Sequence, residues 1–433
     1  MICYSTKRQS PEVSFKEALL TGLPPDNGLY MPSHIPKMDG SFFAMMKEMP
    51  FQDIAFHVAS EFLHDEISDG DLEAIIHDAI NFEAPVIHLR NNLHILELFH
   101  GPTLAFKDFG ARFMARTMAH FLKEEKRELT ILVATSGDTG GAVAAGFYKT
   151  EGINVVILYP SGKVSDLQER QLTTLGENIV ALEIDGNFDD CQRMVKSAFL
   201  DQEISQKLNL ASANSINLGR LLPQSFYYFN AWAQMECYDP LVFCIPSGNF
   251  GNLTAGLIAK RMGLPASKFI AATNANRVVP EYLASGNYEP VDSVSTISNA
   301  MDVGNPSNFA RMLELFQNDH NEMSKEISGF CYSDDETRSE ISKTFKNEGY
   351  LLDPHGAVGT LAAEQFVTAS RSNESVIILE TAHPSKFKAE VEKVTGTEIE
   401  VPERLVRLRQ KEKRSIKMAS AFEDLKSWFI DSN

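Results

Sequence analysis

One lysine in the sequence lies between aromatic residues at the start of a predicted helix. In FHGPTLAFKDFG, residues 99 to 110, Lys107 lies between Phe106 and Phe109. A helix N-terminus carries partial positive charge and aromatic neighbours exclude water, so both disfavour the ammonium form. A neutral lysine amine is a nucleophile that can form a Schiff base with a carbonyl group. The stretch alone is more typical of a surface lysine whose methylenes cover an aromatic ring.

Two glycine-containing loops offer backbone N–H groups to an anion. In LVFCIPSGNFGNLTAGLIAKRMG, residues 247 to 252 join a predicted strand to a helix, and glycine lets the backbone approach a phosphate at the helix N-terminus. In LVATSGDTGGAV, residues 135 to 140 follow another predicted strand, and Asp138 lies among hydroxyl and amide groups. This second loop indicates a polar small molecule, such as an amino acid carboxylate. Each loop could instead be an ordinary strand-to-helix turn or cap.

The combination of these features indicates one cofactor. No GxGxxG is present, and YPSGKVS lacks the upstream glycine and the Ser/Thr after lysine of a P-loop, which argues against classical dehydrogenases and P-loop ATPases. A reactive lysine, a phosphate-binding loop and a second anion-binding loop are what pyridoxal phosphate needs, together with a partner for its ring nitrogen. Thr381, after the predicted strand VIILE, is a candidate for that partner, although it could also be a simple turn residue.

The elements that must position these residues alternate between strand and helix. Short apolar runs predict strands in LTILVATSG, NVVILYP, NIVALEID, LVFCIPSG, KFIAATN and VIILET, and the first five lead into helical segments. This alternation predicts the α/β class with parallel sheets, whose ligands bind at the carboxyl ends of strands. Residues 1 to about 90 are predicted to be mostly helix and loop, and the charged C-terminal tail to be helical.

Composition excludes several classes of function. The formal net charge of −18 opposes binding to nucleic acid or anionic membranes, which requires a basic surface. No apolar run approaches the roughly 20 residues of a membrane span, and MICYSTKRQS lacks the apolar core of a signal peptide, so we predict a cytoplasmic protein. The five cysteines form no CxxC pair, so neither a metal site nor a disulfide framework is predicted.

Several long motifs, in order along most of the chain, carry a family resemblance. They are SFKEALLTGLPPDNGLYMP, FHGPTLAFKDFG, ATSGDTGGAV, YPSGKVSDLQERQLTTLG, SANSINLGRLLPQ, PSGNFGN, AMDVGNPSNF, DPHGAVG and ETAHPSKF. With them the chain resembles the threonine synthases of pyridoxal-phosphate fold type II, in their longer form. The resemblance implies two parallel-sheet α/β domains, similar to tryptophan synthase β, with a mostly helical N-terminal extension. We predict an extension at 1–90, a large pyridoxal-phosphate-binding domain at 91–107 and 220–385, a small substrate-binding domain at 108–219, and a C-terminal helical segment at 386–433.

The resemblance implies roles for individual residues. Lys107 is similar to the Schiff-base lysine and proton carrier of the family, and the other residues implied to bind the cofactor are Asp138, Gly248, Asn249, Phe250, Gly251, Asn252 and Thr381. The residues predicted to bind substrate are Thr135, Ser136, Gly137, Thr139, Lys163, Asn214, Ser215, Asn217, Arg220 and Lys386. Shorter relatives have asparagine at the position of Asp138, near the cofactor 3′-oxygen, and an ionised aspartate cannot donate a hydrogen bond there.

The implied reaction converts O-phospho-L-homoserine and water to L-threonine and phosphate, in a protein that is implied to be a monomer. Lys163, Arg220 and Lys386 are candidates for the substrate phosphate, but each could be a solvated surface charge. The Asn214, Ser215 and Asn217 side chains could orient substrate or cap a turn, and His355 and His383 could be structural. The alternatives are another fold type II lyase such as threonine dehydratase, and a non-catalytic phosphate-ligand-binding homologue.

Overall fold

Two largely parallel sheets form the frame of the molecule. The computed structural model describes residues 1–125, 128–135, 137–236, 239–371 and 373–431. The strands are β1 (Ile2–Ser5), β2 (Val13–Ser14), β3 (Tyr30–Pro32), β4 (Val86–Arg90), β5 (Leu93–Glu97), β6 (Leu129–Ala134), β7 (Ile153–Pro160), β8 (Ile179–Asp185), β9 (Leu210–Ala211), β10 (Leu241–Pro246), β11 (Ala266–Thr273), β12 (Ile327–Cys331), β13 (Val376–Glu380) and β14 (Ile416–Ala419). The large sheet has the order β12-β11-β10-β13-β5-β4, the small sheet has the order β14-β8-β7-β6-β9, and a third sheet has the order β2-β1-β3.

Helices connect the strands and cover the sheets. The α-helices are α1 (Phe15–Thr21), α2 (Gly40–Met45), α3 (Phe51–Leu63), α4 (Asp69–Ala79), α5 (Lys107–Glu125), α6 (Asp138–Phe147), α7 (Asp166–Thr173), α8 (Phe188–Leu200), α9 (Gln202–Lys207), α10 (Leu218–Leu221), α11 (Phe226–Ala233), α12 (Gly251–Arg261), α13 (Val278–Ser285), α14 (Phe309–Leu315), α15 (His320–Glu326), α16 (Asp334–Glu348), α17 (Pro354–Ser370), α18 (Lys388–Thr395), α19 (Glu403–Arg409) and α20 (Phe422–Asp431). Short 3-10 helices span Met46–Glu48, Leu222–Ser225, Asn299–Met301 and Pro384–Phe387. Within the described ranges, no helix has the length and apolar composition needed to cross a bilayer.

The central strands are buried on both faces, as parallel strands between helices require. Every residue of β6, β10 and β13 is buried, and their apolar runs are why the sequence predicts them. Helix α17 packs on β10, β11 and β13, and α8 packs on β6 and β7. The predicted α/β class and the helix that begins at Lys107 are confirmed.

Three features differ from the pattern read from the sequence. The N-terminal region contains a small antiparallel sheet, β1 to β3, besides its helices. Strand β4 joins the large sheet antiparallel to β5, and the C-terminal tail contributes β14 to the small sheet. These strands have two to five residues, too few to show a clear alternation, and their pairing depends on distant parts of the chain.

Strand pairing brings distant loops together at the carboxyl ends of both sheets. In the large sheet β13 lies between β10 and β5, so the loops that begin at residues 247, 381 and 98 are neighbours. In the small sheet β6 pairs with β7 and with β9, so the loops that begin at residues 135, 161 and 212 are neighbours. The sequence-predicted residues lie on these six loops and on the first turns of the helices that follow them.

Candidate active site

Lys107 and Thr381 are held side by side by the backbone. The N–H of Phe106 donates to the Thr381 carbonyl oxygen at 2.9 Å, and Ala105 forms an antiparallel bridge with Ala382. Lys107 follows directly as the first residue of α5. The amine and the hydroxyl therefore come from two segments that the fold fixes against each other.

The surroundings of Lys107 favour its neutral form. Burial lowers the pKa of its amine; Asp138 opposes this shift, and the positive charges of Lys386 and Arg220 add to it. The Lys107 Nζ also lies 4.9 Å from the centre of the Phe106 ring. The Lys107 amine, which is a candidate nucleophile from the sequence, therefore lies where desolvation and neighbouring cations both favour loss of its proton.

The glycine-containing loop after β10 forms an open helix N-terminus. Helix α12 begins at Gly251 with no side-chain cap, and Phe250 before it has the left-handed conformation, with φ 58°. The first-turn N–H groups of a helix without a cap are available to an anion. A methyl group on Gly248 would lie 2.7 Å from both Ala300 O and Met301 Cα, so only glycine lets this loop approach the turn opposite.

Side chains on both sides fix this loop (residues 248–252), which we call the phosphate cradle after the role that the sequence predicts for it. Asn249 donates to Ser215 Oγ at 2.5 Å and accepts from the N–H of Ser307 at 2.6 Å. Asn252 donates to the Pro246 carbonyl oxygen at 2.9 Å and accepts a hydrogen bond from the Ser247 hydroxyl. Because Ser215 follows β9, the Asn249 bond joins the large sheet to the small one.

The loop after β6 is shaped by hydrogen bonds of its own. Thr135 Oγ1 accepts from the N–H groups of Gly137 at 3.0 Å and Gly140 at 2.8 Å, so this buried hydroxyl caps the start of α6. Gly137 has φ 145°, and a methyl group there would lie 2.5 Å from Gln168 Nε2. Thr139 lies half-buried in the first turn of α6. Ser136 lies outside the described residues.

A buried ion pair joins the two sheets beside Lys107. Lys386 Nζ lies 2.5 Å from Asp138 Oδ1, and both side chains are almost fully buried. Lys386 also donates to the Thr103 carbonyl oxygen at 3.0 Å, and Gln168 donates to Asp138 Oδ1 at 3.1 Å. Burial alone would raise the pKa of Asp138, but Lys386 and Lys107 hold it well below its usual value.

Arg220 is a buried cation with an unused donor. Its Nη1 donates to the Ala213 carbonyl oxygen at 2.6 Å, while its Nε is buried and has no hydrogen-bond partner among the described residues. Burial lowers the pKa of Arg220 to about 10, against the effect of Asp108. A methyl group on Gly110 would lie 2.9 Å from Nε, so the guanidinium is packed tightly against α5. Lys163, by contrast, is exposed on the loop after β7.

A polar residue of the loop after β9 caps a helix and connects this loop to the N-terminal region. The Asn217 side chain accepts from the N–H of Gly219 at 2.9 Å and donates to the carbonyl oxygens of Leu19 and Ser212. It therefore caps α10 and connects the loop to the N-terminal region. Asn214 is half-buried, and its carbonyl oxygen accepts from the N–H of Asn217.

His355 belongs to a buried group beneath Thr381 whose acidic members, Asp353 and Glu380, were missed in the sequence. Asp353 Oδ2 accepts from the N–H of Ala382 at 3.3 Å, and its Oδ1 lies 2.5 Å from His355 Nδ1. The N–H of Ala300 donates to His355 Nε2 at 3.3 Å, so Nδ1 carries the proton and donates to Asp353. Burial and the charge of Asp353 raise the pKa of Glu380 well above its usual value. The Asp-Pro start of a helix in DPHGAVG was the available signal for Asp353 as a cap.

His383 is half-buried and does not belong to this hydrogen-bonded group. Its Nδ1 accepts from the N–H of Ser385 at 3.1 Å, so it caps the short helix that carries Lys386. Burial and the nearby Arg404 lower its pKa to about 4. It is therefore uncharged at neutral pH.

Family models and known proteins match this chain over nearly its whole length. Family models for "Threonine synthase N terminus", "Pyridoxal-phosphate dependent enzyme" and "Threonine synthase, C-terminal" match residues 3–80, 82–381 and 356–428. The threonine synthase of Haemophilus influenzae is 45% identical over 434 residues, covering 100% of both chains. The chain belongs to the threonine synthase family. The predicted family and fold are thereby confirmed.

Solved threonine synthases have the same fold over their whole length. The crystal structure from Escherichia coli has a TM-score of 0.92 and 42% identity, with 100% of both chains covered. A pyridoxal-phosphate-bound threonine synthase from Brucella melitensis has a TM-score of 0.93 and 35% identity, with 99% of this chain and 98% of that chain covered. In this chain, Lys107, the phosphate cradle and the Asp138–Lys386 pair lie where loops of the two sheets contact each other.

Proposed function

We propose that this chain converts O-phospho-L-homoserine and water to L-threonine and phosphate, using pyridoxal phosphate held by Lys107. The observation that carries the proposal is the fixed neighbourhood of Lys107 and Thr381 through the Phe106 N–H to Thr381 carbonyl hydrogen bond of 2.9 Å. This bond keeps a nucleophilic amine beside a hydroxyl residue, and the strand before Thr381, β13, pairs with β10, which leads into the uncapped N-terminus of α12. The family membership specifies which reaction this cleft supports.

The residues present fit pyridoxal phosphate. The cofactor needs an amine for its aldehyde, donors for its phosphate and a partner for its ring nitrogen. Lys107 has a lowered pKa, α12 begins without a side-chain cap, and Thr381 is a buried hydroxyl residue. We therefore assign Lys107 to the Schiff base, residues 248–252 to the phosphate, and Thr381 to the ring nitrogen.

When bound, pyridoxal phosphate supplies an electron sink for the charge left at carbon when a proton is removed. The net change breaks the Cγ–O bond to phosphate, forms a Cβ–O bond from water, and moves hydrogen from Cβ to Cγ. With the cofactor bound, Lys107 would take the proton from Cα of the substrate once its own amine is free. Thr381 would offer the ring nitrogen a neutral hydroxyl, which does not favour protonation of that nitrogen.

Substrate anions are assigned to the groups around Lys107. The loop of residues 135–139 at the N-terminus of α6 is proposed to receive the substrate carboxylate, since Thr135 holds its backbone in place. Arg220 is the best placed of the three candidate cations for the substrate phosphate, because it is buried close enough to Lys107 to lower the pKa of that amine and its Nε has no hydrogen-bond partner among the described residues. Lys386 would bind the substrate phosphate only by weakening or breaking its ion pair with Asp138. Lys163 is exposed and would have to extend inward from the surface to bind it.

Asp138 is proposed to act on the cofactor through Lys386. An ionised aspartate has no proton to donate, and the pKa of Asp138 is held well below its usual value by Lys386 and Lys107 despite its burial. The Lys386 ammonium, 2.5 Å from Asp138 Oδ1, supplies the donor that asparagine provides in the shorter relatives.

We also propose a domain division, a cellular location and an oligomeric state for this chain. We assign the large pyridoxal-phosphate-binding domain to the β10–β13–β5 sheet and the small substrate-binding domain to the β6–β9 sheet, with the N-terminal extension and C-terminal segment as predicted. Asn214, Ser215 and Asn217 then line the cleft from the small-domain side, with Ser215 bonded to the cradle. A cytoplasmic monomer is proposed from the acidic charge of −18 and the family likeness.

The test of the proposal is a product balance. Purified protein loaded with pyridoxal phosphate is incubated with O-phospho-L-homoserine, and threonine, phosphate and 2-oxobutyrate are measured together. Equal release of threonine and phosphate is expected. Phosphate with 2-oxobutyrate would make the chain an eliminating lyase, and no release from cofactor-loaded protein would favour the binding-protein alternative.

A further inference from the structure

Arg311, on α14, is a fully buried arginine bound by neutral groups. All five of its N–H donors are used: Nε and Nη2 donate to the Tyr30 carbonyl oxygen at 3.1 and 2.9 Å, and Nη2 also donates to Ile216 O at 2.6 Å. Nη1 donates to Asn308 Oδ1 at 2.7 Å and to Ser215 O at 3.4 Å. No carboxylate among the described residues pairs with this guanidinium, whose exposure is 0%.

Burying a cation without a counter-ion costs free energy. We therefore expect such a residue either to have a specific role or to be replaceable by an apolar residue without loss of stability. Burial lowers the pKa of Arg311 to about 9, which still leaves it protonated at neutral pH. Its positive charge therefore persists inside a protein whose formal net charge is −18. Carbonyl oxygens satisfy its hydrogen bonds but do not neutralise its charge.

Two residues that accept hydrogen bonds from Arg311, Ser215 and Asn308, also lie against the phosphate cradle. Ser215, whose carbonyl accepts from Arg311, receives through its hydroxyl the 2.5 Å bond from Asn249 of the cradle. Asn308 donates to the same Ser215 carbonyl at 3.3 Å. A methyl group on Gly251 would lie 3.4 Å from Asn308 Nδ2 and 3.6 Å from Ser215 Cβ. One layer of side chains thus separates the guanidinium from the first turn of α12.

We propose that Arg311 is a positioning residue for the phosphate cradle, which fixes Ser215 and Asn308 against it and supplies buried positive charge behind it. Through Tyr30 O it also fastens strand β3 of the N-terminal region to the cleft. The inference rests on the proposed assignment of residues 248–252 to the cofactor phosphate. It predicts that Arg311 contributes to affinity for the phosphate group more than to affinity for the rest of the cofactor.

The test compares pyridoxal phosphate with pyridoxal, which has the same aldehyde and ring but no phosphate. Apoprotein of wild type and of Arg311→Met is titrated with each compound, and binding is followed by absorbance. Loss of an outer partner of a metal ligand typically costs about 10- to 100-fold in affinity. By analogy we expect a loss of that size for pyridoxal phosphate in Arg311→Met and a much smaller loss for pyridoxal.

A second variant, Asn308→Asp, keeps the acceptor for Arg311, but it places a carboxylate between the guanidinium and the cradle and loses the donor to the Ser215 carbonyl. The ion pair gained by the buried cation offsets the lost hydrogen bond, so we expect the variant to fold. Its affinity for pyridoxal phosphate should fall relative to its affinity for pyridoxal. The ratio of the two affinities is the readout, because a general loss of stability lowers both affinities together.

Arg90→Met is the matched control. Arg90 is a largely buried arginine in the large sheet, paired with Glu340, Glu348 and Glu364. Its loss should lower the melting temperature without changing the preference for pyridoxal phosphate over pyridoxal.

The outcomes separate this inference from the proposed function. Equal losses of both ligands, or an unchanged ratio in Arg311→Met and Asn308→Asp, would overturn the role of Arg311 while leaving the cradle in place. If Arg311→Met does not fold, Asn308→Asp decides the question alone. A wild type that binds pyridoxal as tightly as pyridoxal phosphate would overturn the cradle assignment, and this inference with it.

Discussion

At the scale of single residues, the site depends on charges that are buried close to one another. Burial lowers the pKa of Lys107, Lys386 and Arg220 lower it further, and Asp138 opposes them. Such perturbed groups in one cleft are typical of functional sites. They also provide the local positive charge that a phosphorylated substrate needs when it approaches an acidic protein.

Replacing Asp138 by asparagine should shift the pH dependence of cofactor capture. Asp138 raises the pKa of Lys107 against the lowering by burial, so its removal lowers that pKa further. Only the neutral amine attacks the aldehyde, and the rate of pyridoxal phosphate capture by apoprotein should therefore reach its plateau at lower pH. Because Lys386 loses its buried partner, the variant should also be less stable by about 3 kcal/mol. A profile that stays in place or moves to higher pH would contradict the proposed electrostatics.

Replacing Thr381 by aspartate should change the product ratio. A carboxylate would favour a protonated ring nitrogen, and the resulting stronger electron withdrawal should raise 2-oxobutyrate relative to threonine. Thr381→Ser, which keeps the hydroxyl, is the control and should retain the wild-type ratio. The ratio of the two products at saturating substrate is the measurement, and equal ratios in both variants would exclude a role at the ring nitrogen.

At the scale of elements, the site is made where strands end and helices begin. The open N-terminus of α12 needs glycine at residue 248, because the turn at residues 299–301 lies against it. The neighbouring positions of β5, β13 and β10 then bring Lys107, Thr381 and the cradle to one edge. This is the position expected for ligands in parallel sheets.

The variant Gly248→Ala tests that element. Its Cβ would lie 2.7 Å from Ala300 O and Met301 Cα, so the cradle or the turn opposite must move. Pyridoxal phosphate affinity should fall by about tenfold or more, since misplaced amides lose hydrogen bonds to the phosphate. Gly70→Ala in α4, where a Cβ would meet nothing within 4 Å, should leave affinity unchanged. A wild-type dissociation constant for Gly248→Ala would argue against the cradle.

The sequence predicts the long buried strands and the loops that follow them, because apolar runs and glycine-rich turns are local signals. It does not predict the small sheet of β1 to β3 or the strand β14, which are too short to carry such a signal. Nor does it predict the Asp138–Lys386 pair or the bonds of Arg311, since each joins segments that only the fold brings together. Lys107 was recognisable only together with the two glycine-containing loops and the ordered motifs, because its aromatic neighbours alone are also typical of a surface lysine.

At the scale of the whole molecule, the cleft is held together across the two sheets. The Asp138–Lys386 pair and the Asn249–Ser215 bond each join a loop of one sheet to a loop of the other. The N-terminal region takes part through Arg311 and through Asn217, which donates to Leu19 O at 2.9 Å. A cofactor bound between these loops should therefore stabilise the assembly as a whole.

Removal of the cofactor should lower stability and open the cleft. Ligand that binds only the folded state contributes about 2.7 kcal/mol at a hundred times its dissociation constant, so the melting temperature should rise with pyridoxal phosphate concentration. Amide hydrogen exchange in residues 137–140 and 212–217 should be faster in apoprotein than in holoprotein. Exchange in the distant helix α16 is the internal control and should not change. Equal exchange of the two loops in both forms would mean that the cofactor does not join them.

The most direct test of the central claim is to identify the lysine that carries the cofactor. Holoprotein is reduced with borohydride, digested, and the pyridoxyl-labelled peptide is sequenced by mass spectrometry. The account predicts the label on Lys107, within FHGPTLAFKDFG, and none in the Lys107→Ala variant. A label on Lys386, Lys163 or another lysine would contradict the assignment on which the site and the proposed reaction depend.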